Sequence, residues 1–150
     1  MKKNLMFLIF HILIVGNGVC QQAEFVPNFG HTDEIKFACY TPDNKYFLTA
    51  SVDKFMKLWD VKTGRCIKNY VGHTKDILCV TISNDGKFIL SGSDDFKAKL
   101  WDLVSGKCIK TFEHTGSVRA VAFTSDGKTC ATAAGLYDNP AEIKIWDLET

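Results

Sequence analysis

Cysteine pairs, charge runs and glycine-rich phosphate loops are all missing from this 150-residue chain. None of its six cysteines forms a Cys-x-x-Cys pair, which argues against a structural zinc site. Lysine and arginine are spread over every segment and the net charge is only +1, so there is no basic stripe for nucleic acid and no acidic tail. No glycine-rich loop cradles a phosphate. Helical periodicity is absent after the first twenty residues. Long hydrophobic runs are absent too, the longest being eleven residues where a bilayer-spanning helix needs about 20. What is present is 46% apolar and 12% aromatic residues, enough to build the core of a neutral module.

The eleven-residue run, Leu5 to Val15, is broken only by His11 and follows a positive start at Met1-Lys2-Lys3. Small residues Gly16, Gly18 and Cys20 come after it. These are the three parts of a secretory signal peptide, residues 1–20, and the expected location is secreted or periplasmic. An uncleaved anchor and a lipid-anchored N-terminus on Cys20 stay open, as does a cytoplasmic protein with an unprocessed N-terminus. After cleavage no membrane insertion is expected. Cys39, Cys66, Cys79, Cys108 and Cys130 would remain, an odd number of thiols for an oxidising compartment, read as small hydrophobes packed in sheets.

Residues 21–150 carry an internal repeat. Trp-Asp occurs at Trp59-Asp60, Trp101-Asp102 and Trp146-Asp147, and His-Thr at His31-Thr32, His73-Thr74 and His114-Thr115. The histidines are 42 and 41 residues apart and the tryptophans 42 and 45, which marks one supersecondary unit used three times, over about 25–70, 71–112 and 113–150.

Within each unit the apolar pattern has period two. First strands are expected over Ile35 to Tyr40, Ile77 to Ile82 and Val118 to Phe123. Turns follow at Pro42-Asp43-Asn44, Asn84-Asp85-Gly86 and Ser125-Asp126-Gly127, residue types that tolerate left-handed backbone. Second strands run over Tyr46 to Ala50, Phe88 to Gly92 and Thr129 to Ala133. Third strands run over Phe55 to Trp59, Lys97 to Trp101 and Glu142 to Trp146. Fourth strands run over Cys66 to Tyr70 and Cys108 to Phe112. Short strands at this spacing predict an all-β fold.

The recurrence in phase of Gly-His, a turn Asp and Trp-Asp resembles the WD40 repeat family over nearly all of the chain after residue 20. The resemblance implies a partial β-propeller of three four-stranded blades, the last incomplete. It also implies a buried tetrad in each blade: Trp59, Thr49, His31 and Asp53 in the first, and Trp101, Ser91, His73 and Asp95 in the second. The third has Trp146, Thr132, His114 and, across a loop with about three extra residues, Asp138. A buried indole N–H without an acceptor costs about 1–3 kcal/mol, so tryptophan deep in a sheet needs a hydroxyl beside it.

These residue types also suggest chemistry. Ser91, His73 and Asp95 contain the members of a hydrolase triad, but they recur with Thr for Ser, and Trp engages the hydroxyl. The three histidines fall on separate blades, each with its own acid, which argues against a metal ring. The expectation is no catalytic residue, no metal and no cofactor.

The resemblance places partner contacts on the face carrying the histidine loops. The matching positions are Glu34, Lys36 and Val52; Asp76, Leu78 and Asp94; and Ser117, Arg119 and Tyr137. Their mix of acids, bases and one aromatic points to a protein or peptide partner, with Tyr137 the best anchor. The expected function is a non-catalytic protein–protein interaction scaffold. The alternative is the propeller part of a larger exported enzyme, for example one joined to a caspase-like peptidase.

Propellers close with about 4 to 8 blades, and this chain has three. Ala23 to Phe29 reads as the fourth strand of a preceding blade. Two readings follow: the chain is the first part of a longer propeller, or copies self-associate through open blade faces, as in a six-bladed ring of two chains.

Overall fold

The computed structural model describes residues 30–135 and 141–148. The N-terminal segment 1–20, the strand expected over 23–29, Tyr137 and Asp138 lie outside the described residues. Ile35–Tyr40 (β1), Tyr46–Ser51 (β2), Met56–Asp60 (β3) and Cys66–Tyr70 (β4) form one antiparallel sheet in that order. Ile77–Ile82 (β5), Phe88–Ser93 (β6), Lys97–Asp102 (β7) and Cys108–Glu113 (β8) form a second. Val118–Phe123 (β9), Thr129–Ala134 (β10) and Glu142–Asp147 (β11) form a third of three strands. The architecture is all-β, three blades, with each strand within a residue of its expected ends.

The hairpin between the first two strands of each blade is built the same way. Asn44, Gly86 and Gly127 take positive φ values of 57°, 70° and 70°, the left-handed geometry that Asn and Gly tolerate best. A hydroxyl ahead of each turn closes it. Thr41, Ser83 and Thr124 donate to the carboxylates of Asp43, Asp85 and Asp126 at 2.7, 2.6 and 2.6 Å. The same oxygens accept the backbone N–H of Tyr46, Phe88 and Thr129.

The aspartate of Trp-Asp closes the next turn. Asp60 accepts the N–H of Thr63 at 2.7 Å, and Asp102 that of Ser105 at 2.6 Å. The register between third and fourth strands shifts at the Leu-Trp step of both complete blades, a bulge that re-aims the tryptophan.

Each blade packs face to face on the next. The leading face of the first contributes Leu48, Ala50, Met56 and Leu58, which pack with Val80, Ile89 and Trp101 of the second. The leading face of the second contributes Leu90, Ala98, Leu100 and Phe112, which pack with Val118 and Cys130, and Trp146 lies against the same cluster. The inner strands β1, β5 and β9 meet one after another along this stack. At its outer edge the Tyr70 hydroxyl donates to the Leu103 carbonyl at 2.8 Å.

Among the described residues the five cysteines are free thiols. Cys79 and Cys130 are buried, Cys39 and Cys66 half-buried, and Cys108 is exposed on an outer strand, so it is not core. Burial pushes the Cys79 thiol up to about 12 and that of Cys130 up to about 11, so neither is a thiolate at neutral pH.

One glycine sets the distance between the second and third blades. A Cβ on Gly92 would stand 2.7 Å from Cys79 Sγ and from Val118 Cγ1, and 2.8 Å from the Val118 carbonyl oxygen. Alanine fits the matching place in the first blade, Ala50, but Gly92 meets a closer neighbour. Gly92→Ala is therefore expected to lower stability by about 1–3 kcal/mol, the usual cost of overpacking, read by urea denaturation. Unchanged stability would contradict this packing.

Candidate functional site: three loop-pinning networks and the face they hold

In the second blade the indole N–H of Trp101 donates to Ser91 Oγ at 2.9 Å. Ser91 Oγ lies 2.7 Å from His73 Nε2, and His73 Nδ1 lies 2.8 Å from Asp95 Oδ2. An ionised carboxylate only accepts, so Nδ1 donates to it, while the Ser91 hydroxyl bonds Nε2 and is also placed to donate to the Lys99 carbonyl at 3.4 Å. Indole, hydroxyl, imidazole and carboxylate therefore each have a partner. The Asp95 carboxylate also accepts the backbone N–H groups of Thr74 at 3.0 Å and Lys97 at 3.1 Å. It thereby ties the loop before β5 to the turn before β7.

The first blade repeats this geometry. Trp59 Nε1 donates to Thr49 Oγ1 at 2.8 Å, Thr49 Oγ1 is 2.7 Å from His31 Nε2, and His31 Nδ1 is 2.8 Å from Asp53 Oδ2. Asp53 accepts from Thr32 and Phe55 N–H, both at 3.0 Å.

The third blade departs from expectation at its acidic end. Trp146 Nε1 donates to Thr132 Oγ1 at 2.8 Å, which is 2.9 Å from His114 Nε2. The carboxylate that meets His114 Nδ1, at 3.0 Å, belongs to Glu142. Among the described residues Glu142 is thus the carboxylate at His114, and Asp138, expected there, lies outside them. Glu142 is the first residue of β11 rather than a turn residue. It also accepts from Lys144 Nζ at 2.7 Å.

The charge states follow from these contacts. Burial by itself would raise the Asp95 carboxyl, but hydrogen bonds from His73 and Thr74 outweigh it and hold the group at about 2. Asp53 is lowered by the same balance, with burial opposed chiefly by the Thr32 N–H and His31. Lys144 is the largest influence on Glu142, which falls to about 2.

The triad types in the second blade form no reactive group. Ser91 is fully buried and its oxygen already accepts an indole N–H, so no substrate carbonyl reaches it. Among the described residues no three His, Cys, Asp or Glu side chains converge as a metal site.

The face above the networks carries the positions read as partner contacts. Glu34, Lys36 and Arg119 are exposed, while Val52, Asp76, Leu78 and Asp94 are half-buried. Lys36 pairs with Glu34 at 2.7 Å. Ser117 is different: it is only 1% exposed, and its hydroxyl donates to the Asp94 carboxylate of the preceding blade. Those two side chains join neighbouring loops instead of projecting from them. Backbone bonds fix the same loops in every blade, from Val52 N–H to Glu34 O, Asp94 N–H to Asp76 O and Gly135 N–H to Ser117 O, at 2.9–3.1 Å.

Ionised Asp95 makes stability depend on pH with a definite sign. Its carboxyl titrates at about 2 in the folded chain, against about 3.9 when unfolded. Its stabilising contribution is complete above about pH 4 and is lost as pH falls toward 2. Acid titration of Asp95→Asn should therefore show a shallower loss of stability between pH 4 and 2 than wild type. An identical acid limb would contradict the network.

Comparison with known proteins agrees with the blades. The family model "WD domain, G-beta repeat" matches residues 23–60, 64–102 and 106–147, each match closing on the aspartate of a Trp-Asp pair. The chain is 49% identical over 39 residues to a ribosome biogenesis protein BOP1 homolog of Culex quinquefasciatus, covering 26% of this chain and 4% of that protein. It is 37% identical over 41 residues to pre-mRNA-processing factor 17 of Homo sapiens, covering 27% of this chain and 7% of that protein. The similarity to each relative is thus about one repeat long and spans a small fraction of its length. Three in-phase matches over most of the sequence, on three blades of the matching architecture, place the chain in the WD40 repeat family.

Proposed function

We propose that the chain is a non-catalytic scaffold that binds a protein or peptide through the face holding the histidine loops. The observation that carries this reading is the threefold network. It holds three loops in fixed relation while Glu34, Lys36 and Arg119 stay exposed on or beside them. Rigid loops lose little conformational entropy on binding, the usual advantage of a preorganised surface. Acids and bases alternate on this face, which suits a polypeptide of mixed charge better than a polyanion. Family membership supports a binding role. The names of the two relatives point to different processes, ribosome biogenesis and pre-mRNA processing, while the shared stretch is a single repeat. The common element is the structural unit, not either process.

The test compares affinity capture by the wild-type chain with that by Lys36→Ala/Arg119→Ala. Both side chains are exposed, so melting temperature should stay within a degree or two while at least one co-purifying polypeptide is lost. The same captured set from both proteins would contradict a binding role for this face.

A further inference from the structure

The second blade sets an aromatic ring where the backbone opposes one. Phe96, in the turn before β7, has a φ of 66°, left-handed backbone that is costly for a bulky side chain. The matching residue of the first blade, Lys54, has a φ of 74°, so the turn itself demands this conformation. The two residue types stand in opposite order in the two blades. The first has Lys54-Phe55, with the aromatic one step later in ordinary backbone, and the second has Phe96-Lys97. Hydrogen bonds hold Phe96 in place from both sides. Asp95 N–H donates to Ser93 Oγ at 3.1 Å, Lys97 N–H to the Asp95 carboxylate at 3.1 Å, and His114 N–H to the Phe96 carbonyl at 2.9 Å. Strain persists where the surroundings over-determine it, and such residues cluster at ligand clamps.

Lys75 faces this ring from the loop before β5. Its ammonium lies 5.4 Å from the ring centroid, within cation–π range. Lys75 is exposed and Phe96 half-buried. Other lysines on this side of the blades are already paired with acids: Lys36 with Glu34 at 2.7 Å, Lys97 with Glu113 at 2.6 Å and Lys144 with Glu142 at 2.7 Å. Among the described residues no carboxylate pairs with Lys75. Asp76 follows it in the chain without meeting its ammonium, and Asp94 on the facing turn is engaged by Ser117.

We propose that Lys75 and Phe96 form a docking point for a polypeptide segment carrying an acidic side chain next to an apolar one. The acid meets the ammonium that has no carboxylate of its own, and the apolar group covers the part of the ring left open. The Asp95 carboxylate fixes both sides of the point, since it accepts the N–H of Thr74 beside Lys75 and of Lys97 beside Phe96. Little ordering is therefore left to binding. A ring held at the surface by its own backbone is also the type of group that anchors interfaces. This inference rests on the reading of the histidine-loop face as a polypeptide-binding surface and names one chemistry selected there.

NMR titration of the isotope-labelled full chain tests it with three capped peptides: Gly-Ser-Leu-Glu-Ser-Gly and its Leu-Gln and Leu-Lys counterparts. The Leu-Glu peptide should shift the amides of Thr74, Lys75, Phe96 and Lys97 saturably. It should bind about threefold to tenfold more tightly than the Leu-Lys peptide, with Leu-Gln between them. Lys75→Glu should reverse that order. Phe96→Gly suits the left-handed turn, so its melting temperature should stay within a few degrees of wild type while Leu-Glu binding weakens about threefold or more. Lys75 is exposed, so Lys75→Glu decides the matter even if Phe96→Gly unfolds. No saturable shift with any peptide would overturn the proposal. Equal affinity for all three, an order that Lys75→Glu leaves unchanged, shifts confined to other loops, or full binding by folded Phe96→Gly would overturn it too. Those last outcomes would leave the partner-binding reading standing, because capture by Lys36→Ala/Arg119→Ala tests that reading separately.

Discussion

Everything on the histidine-loop face depends on one line of hydrogen bonds running from a tryptophan N–H through a hydroxyl and an imidazole to a carboxylate. Tryptophan belongs in the sheet because its bulk fills the space between blades, yet its N–H cannot be left without an acceptor there. A hydroxyl across the strand pair, Thr49, Ser91 or Thr132, accepts it. The hydroxyl of the first two blades is also placed to donate to a strand carbonyl, Lys57 or Lys99, and it meets the imidazole, whose Nδ1 proton goes to the carboxylate. Each group thus meets the next along the line. Bonds in such a chain polarise one another in a low-dielectric setting, so the set acts as a unit.

The direction of the line gives it its structural effect. It starts in the third strand, passes through the second and ends between two loops, so the interior of the sheet dictates where the loops stand. The carboxylate then accepts backbone N–H groups from both loops, which turns a buried requirement into a fixed surface. Packing between blades adds a second constraint. Gly92 and Val118 meet so closely that a single added methyl group would clash across the seam between the second and third blades. Ser117 and Asp94 join the loops across the same seam. Surface geometry here follows from core chemistry, with little freedom left to the loops.

Much of this was legible in the chain. Alternating hydrophobicity and Asx–Gly turns placed the strands because each blade is a meander of local hairpins, where register follows from turn chemistry. The first two tetrads were legible because their spacing is identical. In the third, the described carboxylate at His114 is Glu142 on the strand, a partner that the spacing of the first two did not indicate, while Asp138 lies outside the described residues. A glutamate opening the strand two residues before Lys144 was the available signal. Ser117 read as a loop contact because its burial comes from Asp94 of another blade, and contacts across blades leave no mark in local sequence. The turn-closing role of the Trp-Asp aspartates also went unseen, although Asp60-x-x-Thr63 and Asp102-x-x-Ser105 are the spacing an Asx turn uses.

The most direct test of the central claim is hydrogen exchange of the three indole N–H groups, followed by NMR in wild type and in Ser91→Ala. If the networks hold the loops, all three indoles exchange far more slowly than a free indole, with Trp101 the slowest given its burial. Removing the Ser91 hydroxyl should then accelerate exchange at Trp101 and, through the unpinned His73, at the Thr74 and Lys97 backbone amides. Rapid exchange at Trp59 and Trp101 in the wild type would contradict the account. So would a Ser91→Ala chain whose loop amides exchange as before.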